Sequence, residues 1–279
     1  MSYKIIVDSC GELSQEMKAS GHFVTASLSI DVDDYHIIDD ETFDQKVFLE
    51  KVAASPNCPK SSCPSPETYR EAYCCKEEHV YAVTLSAELS GSYNSAVLGR
   101  NLYLEEYGEK KIHVFNSKSA SIGETLIALK IAECEDQGMA FEEVVETVEA
   151  YIEGQNTFFL LESLETLRKN GRLTGLKAVV ATALNIKPVM GATPEGTICQ
   201  LGQARGMKKA LAKLADEVAK NTAHAEEKIL AISHCNCFTR AQELKKLLLE
   251  RFSPRDVIIL DTAGISSLYA NDGGVIVVI

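Results

Sequence analysis

The run His79-Val-Tyr-Ala-Val-Thr-Leu-Ser86, continued by Ala87-Glu-Leu-Ser-Gly-Ser-Tyr-Asn-Ser-Ala96, constrains this chain more than any other stretch. Its first half is short, apolar and β-branched, which suits a buried strand. Its continuation, Tyr93 to Leu104, spaces Ala96, Val97, Leu102 and Leu104 as a helix does. Between the two lie the hydroxyls of Ser86, Ser90 and Ser92, with Gly91 allowing close backbone approach. A strand, a Ser/Gly loop and a helix start bring free N–H groups and the positive helix end to one place, the outline of an anion site. The alternative is an ordinary N-cap, in which Ser90 or Ser92 satisfies the first turn and binds nothing.

The same grammar recurs. Lys4-Ile-Ile-Val-Asp-Ser9 reads as a first strand with Asp8 and Ser9 at its carboxyl end, and Gly11-Glu-Leu-Ser14 opens a short helix. Lys111 to Ser117 is a strand whose hydroxyl-rich end, Ser117-Lys-Ser-Ala-Ser121, leads into a helix from Ile122 to Gln137, closed by Gly138 and followed by a helix from Phe141 to Glu153. Phe23 to Ile30 and Tyr35 to Ile38 read as a hairpin turned at Asp33-Asp34, and Thr42 to Ala53 as a helix. The loop Ser55 to Pro66 holds four of the seven prolines, which stiffen it and fix the hydroxyls of Ser61, Ser62 and Ser65. Ser65 and Pro66 suit an N-cap and first helical position; the rest of that loop reads equally as a solvated connector.

Strands alternating with helices indicate an α/β fold, with an N-terminal, mostly parallel sheet flanked by helices. In such sheets ligands sit beyond the carboxyl ends of the strands, where Asp8/Ser9, the Ser61 loop, the Ser90 loop and Ser117–Ser121 can converge. No GxGxxG or Walker run is present, so a nucleotide is not the indicated ligand. The N-terminal domain is expected over 1–156, and a second α/β domain over 157–279. The latter reads as a strand at Thr157–Leu161, a short helix at Ser163–Lys169 and a hairpin around Pro194-Glu-Gly196. Leu176 to Leu184 is apolar almost all round, as either a core helix or the wall of an apolar cavity. Arg205 precedes a helix from Met207 to Asn221; strands at Lys228–Ser233, Asp256–Leu260 and Val275–Ile279 and a helix at Phe238–Phe252 complete the domain.

A formal charge of −12 over 279 residues argues against nucleic-acid binding and against a polybasic membrane anchor. The N-terminus runs straight into a strand rather than a signal peptide, and no stretch approaches a spanning helix, so a cytoplasmic protein without stable membrane insertion is expected. Nine cysteines, an odd number, suit reduced thiols there. Cys58, Cys63, Cys74-Cys75 and Cys235/Cys237 lack a paired CxxC pattern with nearby histidines, so no structural zinc is expected. Cys10, Cys134 and Cys199 read as small core residues.

Several of these runs together resemble the DegV family, bacterial fatty-acid-binding proteins that serve fatty acid kinase. They are Ile5-Ile-Val-Asp-Ser9, Ser61-Ser-Cys-Pro-Ser65, Leu89-Ser-Gly-Ser-Tyr-Asn-Ser-Ala96, Asn116-Ser-Lys-Ser-Ala-Ser-Ile-Gly123, Leu167-Arg-Lys-Asn-Gly-Arg-Leu173, Asn185-Ile-Lys-Pro-Val189 and Ala204-Arg-Gly-Met-Lys-Lys-Ala210. Each is unspecific alone; their order along the chain carries the resemblance. It implies a long-chain fatty acid enclosed between two domains, with no other cofactor and no metal. Its carboxylate would be held by Ser61, Ser62, Ser90, Gly91 and Ser92, with Arg205 near, and with Ser9, Ser117, Ser121, Ser266 and Ser267 behind them. It further implies an ATP-dependent fatty acid kinase subunit as partner. The histidine that many members carry near a His-Thr-Gly-Pro-Gly run is absent: the corresponding segment is Thr262 to Gly274, where Ser266, Ser267 or Asp272 takes its place or none does.

Burying each methylene yields about 0.8 kcal/mol, so an acyl tail supplies affinity while the polar end sets orientation. Neutral hydroxyl and N–H donors can hold a carboxylate and leave an oxygen nucleophilic toward ATP on a partner. The rival reading is an acyl-transfer or hydrolytic enzyme using Cys63 or Ser62, although no motif places a histidine to activate either one.

Overall fold

The computed structural model describes residues 2–173 and 185–279. The first lobe runs β1 (Tyr3–Asp8), α1 (Gln15–Ala19), β2 (Phe23–Ala26), β3 (Ser29–Val32), β4 (Tyr35–Ile38), α2 (Gln45–Ala54), β5 (Lys60–Ser62), α3 (Pro66–Tyr73), β6 (His79–Thr84), α4 (Ser92–Tyr107), β7 (Lys111–Asn116), α5 (Ile122–Asp136) and α6 (Phe141–Glu153). The second runs β8 (Thr157–Leu160), α7 (Glu165–Lys169), β9 (Ile186–Ala192), β10 (Ile198–Arg205), α8 (Met207–Lys220), β11 (Ile229–His234), α9 (Phe238–Leu249), β12 (Asp256–Asp261), α10 (Gly264–Ala270) and β13 (Val275–Val278).

The apolar runs become a four-stranded sheet in the order β2-β1-β6-β7, parallel throughout. β6 is buried along its whole length, as its unbroken apolar run requires when helices cover both faces. The second lobe carries a six-stranded mixed sheet, β10-β9-β8-β13-β11-β12, in which only β11 and β12 are parallel neighbours. A small antiparallel sheet, β4-β3-β5, lies apart from both.

Two elements of the first lobe depart from the sequence reading, as does α10 in the second, where no helix was expected. Phe23–Ile30 is not one strand: β2 joins the parallel sheet, and the chain leaves it at Ser27-Leu28 to begin β3. Leu28 N–H donates to Ser9 Oγ (3.0 Å) and Leu28 C=O accepts from Asp39 N–H (2.9 Å), bonds that a continuing ladder would forbid. The proline-rich loop also contains a strand, because β5 sets Ser61 opposite Ile30. The expected helix at Leu176–Leu184 lies outside the described residues.

α5 is the layer between the lobes. Ile127, Ala128 and Ile131 pack with Ile5, Val7, Tyr81 and Val83 of the parallel sheet. Ile122 and Leu126 pack with Ala231 and Val278 of the mixed sheet. Enclosed by two sheets, the first two turns of α5 have no wet face, which is why Ile122 to Ala128 are all buried. The lobes are also pinned by Asp39, whose carboxylate accepts from Gly264 N–H and Ile265 N–H (2.8 Å each) at the start of α10. Burial pushes the Asp39 carboxyl up to about 6, against the pull of these bonds.

A Cβ at position 264 would come within 2.5 Å of Asp39 Oδ1. Gly264→Ala should therefore displace this cap and lower stability by about 1–3 kcal/mol. Urea unfolding with an unchanged midpoint would show that the pin carries no weight.

Candidate functional site

Asp8 ends β1 fully buried, and its oxygens organise the neighbouring loops. Oδ1 accepts from Cys10 N–H (3.1 Å), and Oδ2 from Leu85 N–H (2.9 Å) and Ser92 Oγ–H (2.6 Å). Ser92 in turn lies 2.7 Å from the buried Tyr69 hydroxyl. The Ser92 hydroxyl is thus committed inward, and α4 starts at Gly91 without a side-chain cap. Ser90 Oγ accepts from Ser92 N–H (3.2 Å) and faces a cavity instead.

That cavity lies between the two lobes and holds about 840 Å³ of atom-free space, its mouth included. Leu28, Leu85 and Leu89 from the first lobe and Phe159, Leu161, Leu167, Ile198, Ile265 and Ile276 from the second give it apolar walls. One end is polar. Ser61 Oγ lies 2.9 Å from the Tyr269 hydroxyl, and the Arg172 guanidinium sits 5.6 Å from the Tyr269 ring centre. Arg172 donates from Nε to Leu89 C=O (3.1 Å) and from Nη1 to Asn170 C=O (2.7 Å). Those bonds aim the fork beside Ser90 and leave most of its N–H groups without a protein acceptor among the described residues. At another edge the β9–β10 turn closes on the first lobe: Gly196 C=O accepts from Ser86 Oγ–H (2.8 Å). Gly196 has φ +89°, and a Cβ there would meet Lys118 Cα at 2.8 Å.

Of the residues singled out from the sequence, Ser61, Ser90, Ser121 and Ser266 line this cavity. Ser121 and Ser266 lie along its wall with their hydroxyls engaged: Ser121 donates to Glu12 Oε1 (2.7 Å), and Ser266 to Cys10 C=O (2.8 Å). The remainder stand elsewhere. Ser9 accepts from Leu28 N–H, Ser117 donates to Ser119 C=O, and Ser267 bonds Thr262 and Gln45. Ser62 faces out from β5, and Gly91 is exposed beside Cys63. Arg205 is exposed at the end of β10 and does not line the cavity. Asp272, exposed, accepts from Asn236. Sequence reasoning missed Arg172 and Tyr269. Arg172 sat inside the quoted run Leu167–Leu173, and Tyr269 inside the segment searched for a replacement histidine.

Neither Ser62 nor Cys63 has a histidine partner; Cys63 Sγ lies 3.8 Å from Ser95 Oγ. The six histidines face Tyr3, Asp31, Glu135, Glu149, Glu226 and Asp261, and none lines the cavity. No helix among the described residues is long and apolar enough to cross a membrane.

The two serines flanking Gly91 should behave differently. Ser92→Ala takes one of the two donors from Asp8 Oδ2 and the partner of the buried Tyr69 hydroxyl, and should cost about 1–3 kcal/mol in chemical denaturation, whereas Ser90→Ala should leave stability within about 0.5 kcal/mol. Equal losses would show that the two hydroxyls share one role.

The model of the family described as "Uncharacterised protein, DegV family" matches residues 2–279. A DegV domain-containing protein of Streptococcus pneumoniae is 38% identical over 280 residues, covering 99% of this chain and 98% of that protein. Among solved structures, a DegV family protein from Ruminococcus gnavus, refined with vaccenic acid, is 64% identical with a TM-score of 0.98, covering 100% of both chains. The Streptococcus pneumoniae fatty acid kinase B3 protein loaded with linoleic acid is 36% identical with a TM-score of 0.90, covering 100% of this chain and 99% of that one. A DegV family protein from Eubacterium eligens loaded with heptadecanoic acid is 28% identical with a TM-score of 0.89, covering 99% of each. With a family model matched from the first strand to the last, this chain belongs to the DegV family.

Proposed function

We propose that this protein holds a long-chain fatty acid between its lobes, with the acyl tail along the apolar walls and the carboxylate at the Arg172 end. The single observation that carries this reading is the cavity's lining: leucine, isoleucine and phenylalanine walls with the Arg172 guanidinium beside the Ser61 and Tyr269 hydroxyls, while Lys118, the second cation on the lining, is paired with Glu153. The fatty acids in the Ruminococcus, Streptococcus and Eubacterium structures support it. Ser61, Ser90 and Tyr269 offer hydroxyl donors, and Arg172 a guanidinium, so the carboxylate is met by charge-assisted bonds at its entry and by hydrocarbon beyond.

The chain acts as a carrier without catalytic residues of its own. It presents the carboxylate to an ATP-dependent fatty acid kinase subunit in the cytoplasm. The similarity to a fatty acid kinase B3 protein supports that partnership. Acyl-phosphate formation then needs a carboxylate oxygen to attack the γ-phosphorus, with ATP and its metal held by the partner. The exposed, histidine-free settings of Ser62 and Cys63 favour the carrier over an acyl-transfer enzyme.

Calorimetry with a homologous series of saturated fatty acids tests this reading on delipidated protein. Each added methylene should tighten binding by up to about fourfold, following about 0.8 kcal/mol per methylene, until the cavity is filled. Arg172→Ala should weaken fatty acids about 10- to 100-fold and barely affect alcohols of the same length. A flat chain-length series, or equal losses for acid and alcohol, would overturn the assignment.

A further inference from the structure

Three carboxyl groups meet at the end of β1 in a place shut off from water: Asp8, Glu12 and Glu124, at 0%, 4% and 0% exposure. They differ in how they are satisfied. Both oxygens of Asp8 accept donors, three in all. Glu12 Oε1 accepts from Ser121. Among the described residues neither oxygen of Glu124 has a partner at hydrogen-bond geometry, and a Glu124 oxygen, an Asp8 oxygen and Cys10 Sγ lie within 4.8 Å of one another. An ionised carboxylate stripped of water and given no donor is among the costliest groups a core can hold, whereas a neutral carboxyl brings its own O–H.

We infer that Glu124 is held as the neutral acid, its O–H donating to Asp8, and that this shared proton positions Asp8 and, through it, the Leu85–Ser92 loop beside the cavity.

Among the described residues the surroundings present no cation to replace the proton, and the thiol that faces Glu124, Cys10, is a weak donor. α5 packs against α6, β1, β6, β11 and β13. β1 and the loop after it present Asp8, Cys10 and Glu12, and α3 presents Tyr69 through Ser92. On β6, His79 and Tyr81 both bind Glu135 at the far end of α5 (2.6 Å each). On α6, Glu149 faces His113 (3.1 Å); on β11, His234 faces Asp261 (3.3 Å); β13 carries no titratable side chain. A cation in the cluster would meet an Asp8 whose oxygens already have N–H and O–H groups pointed at them. Burial drives the Glu124 carboxyl far above its ordinary range, with the charges of Asp8 and Glu12 adding to it, and burial carries Glu12 to about 7.

The sign of the pH effect follows. A carboxyl raised on folding keeps its proton where the unfolded chain has lost it. The stability it contributes is full below the ordinary glutamate range and falls as pH rises toward the folded-state value. Ionising Glu124 also adds a second charge behind Ser121, on the wall of a cavity assigned to a carboxylate.

Only the binding arm of the test rests on the fatty-acid reading. Isotope-edited difference infrared spectra of ligand-free protein, wild type against Glu124→Gln, should show a protonated-carboxyl band at neutral pH that fades only in alkali. The same band should persist in Glu12→Gln. Wild-type fatty acid affinity should fall about tenfold more than that of Glu124→Gln between neutral and alkaline pH. No carboxyl band at neutral pH overturns the inference, and so does a stoichiometric metal ion lost in Glu124→Gln, or failure of that variant to fold. A band as described in protein that binds no fatty acid at any pH sustains the shared proton and defeats the proposed ligand instead.

Discussion

A carboxylate buried at the end of a central strand must collect donors, and Asp8 collects them from three directions. Cys10 N–H fixes the turn out of β1, Leu85 N–H fixes the exit of β6, and Ser92 Oγ–H fixes the first turn of α4. Each bond compensates part of the desolvation of one charge, so none is independent of the others. The loop that carries Ser90 to the cavity is held at both ends by this one side chain. Strand order decides where such a hub can exist: β1 and β6 are adjacent and parallel, so their carboxyl ends open side by side.

The second lobe supplies what the first lacks. Its mixed sheet, α10 and the segment after α7 bring apolar walls, the Tyr269 hydroxyl and the Arg172 guanidinium against the serine loops. Attachment between the lobes is partly polar, through Asp39 on α10 and Ser86 on the β9–β10 turn. These directional bonds join the lobes in addition to the apolar packing on α5.

The sequence displayed the parts of this arrangement that are local. β6, its serine loop and α4 were legible because strand and helix periodicities meet there with turn residues between. Ser61 and Ser90, which line the cavity, stand out in the sequence because one lies in a proline-rich loop and the other beside a glycine. Long-range partnerships were not legible. Ser92 looks like Ser90 until Asp8, 84 residues away, claims its hydroxyl. Arg205 is carried by the family resemblance alone, and it is Arg172 that is turned to the cavity, by the carbonyls of Leu89 and Asn170. α10 was not read as a helix, since its cap is contributed by Asp39, 225 residues earlier. The break between β2 and β3 was hidden for the same reason: Ser9 and Asp39 take the backbone groups of Leu28.

Sharing α5 between two sheets limits how the molecule can breathe. Swinging the lobes apart on a hinge would expose Ile122, Leu126, Ala231 and Val278 to water together, a penalty that grows with every degree of opening. A ligand of the cavity would therefore have to enter by small local excursions at its mouth, and the two lobes should melt as one cooperative unit rather than in turn.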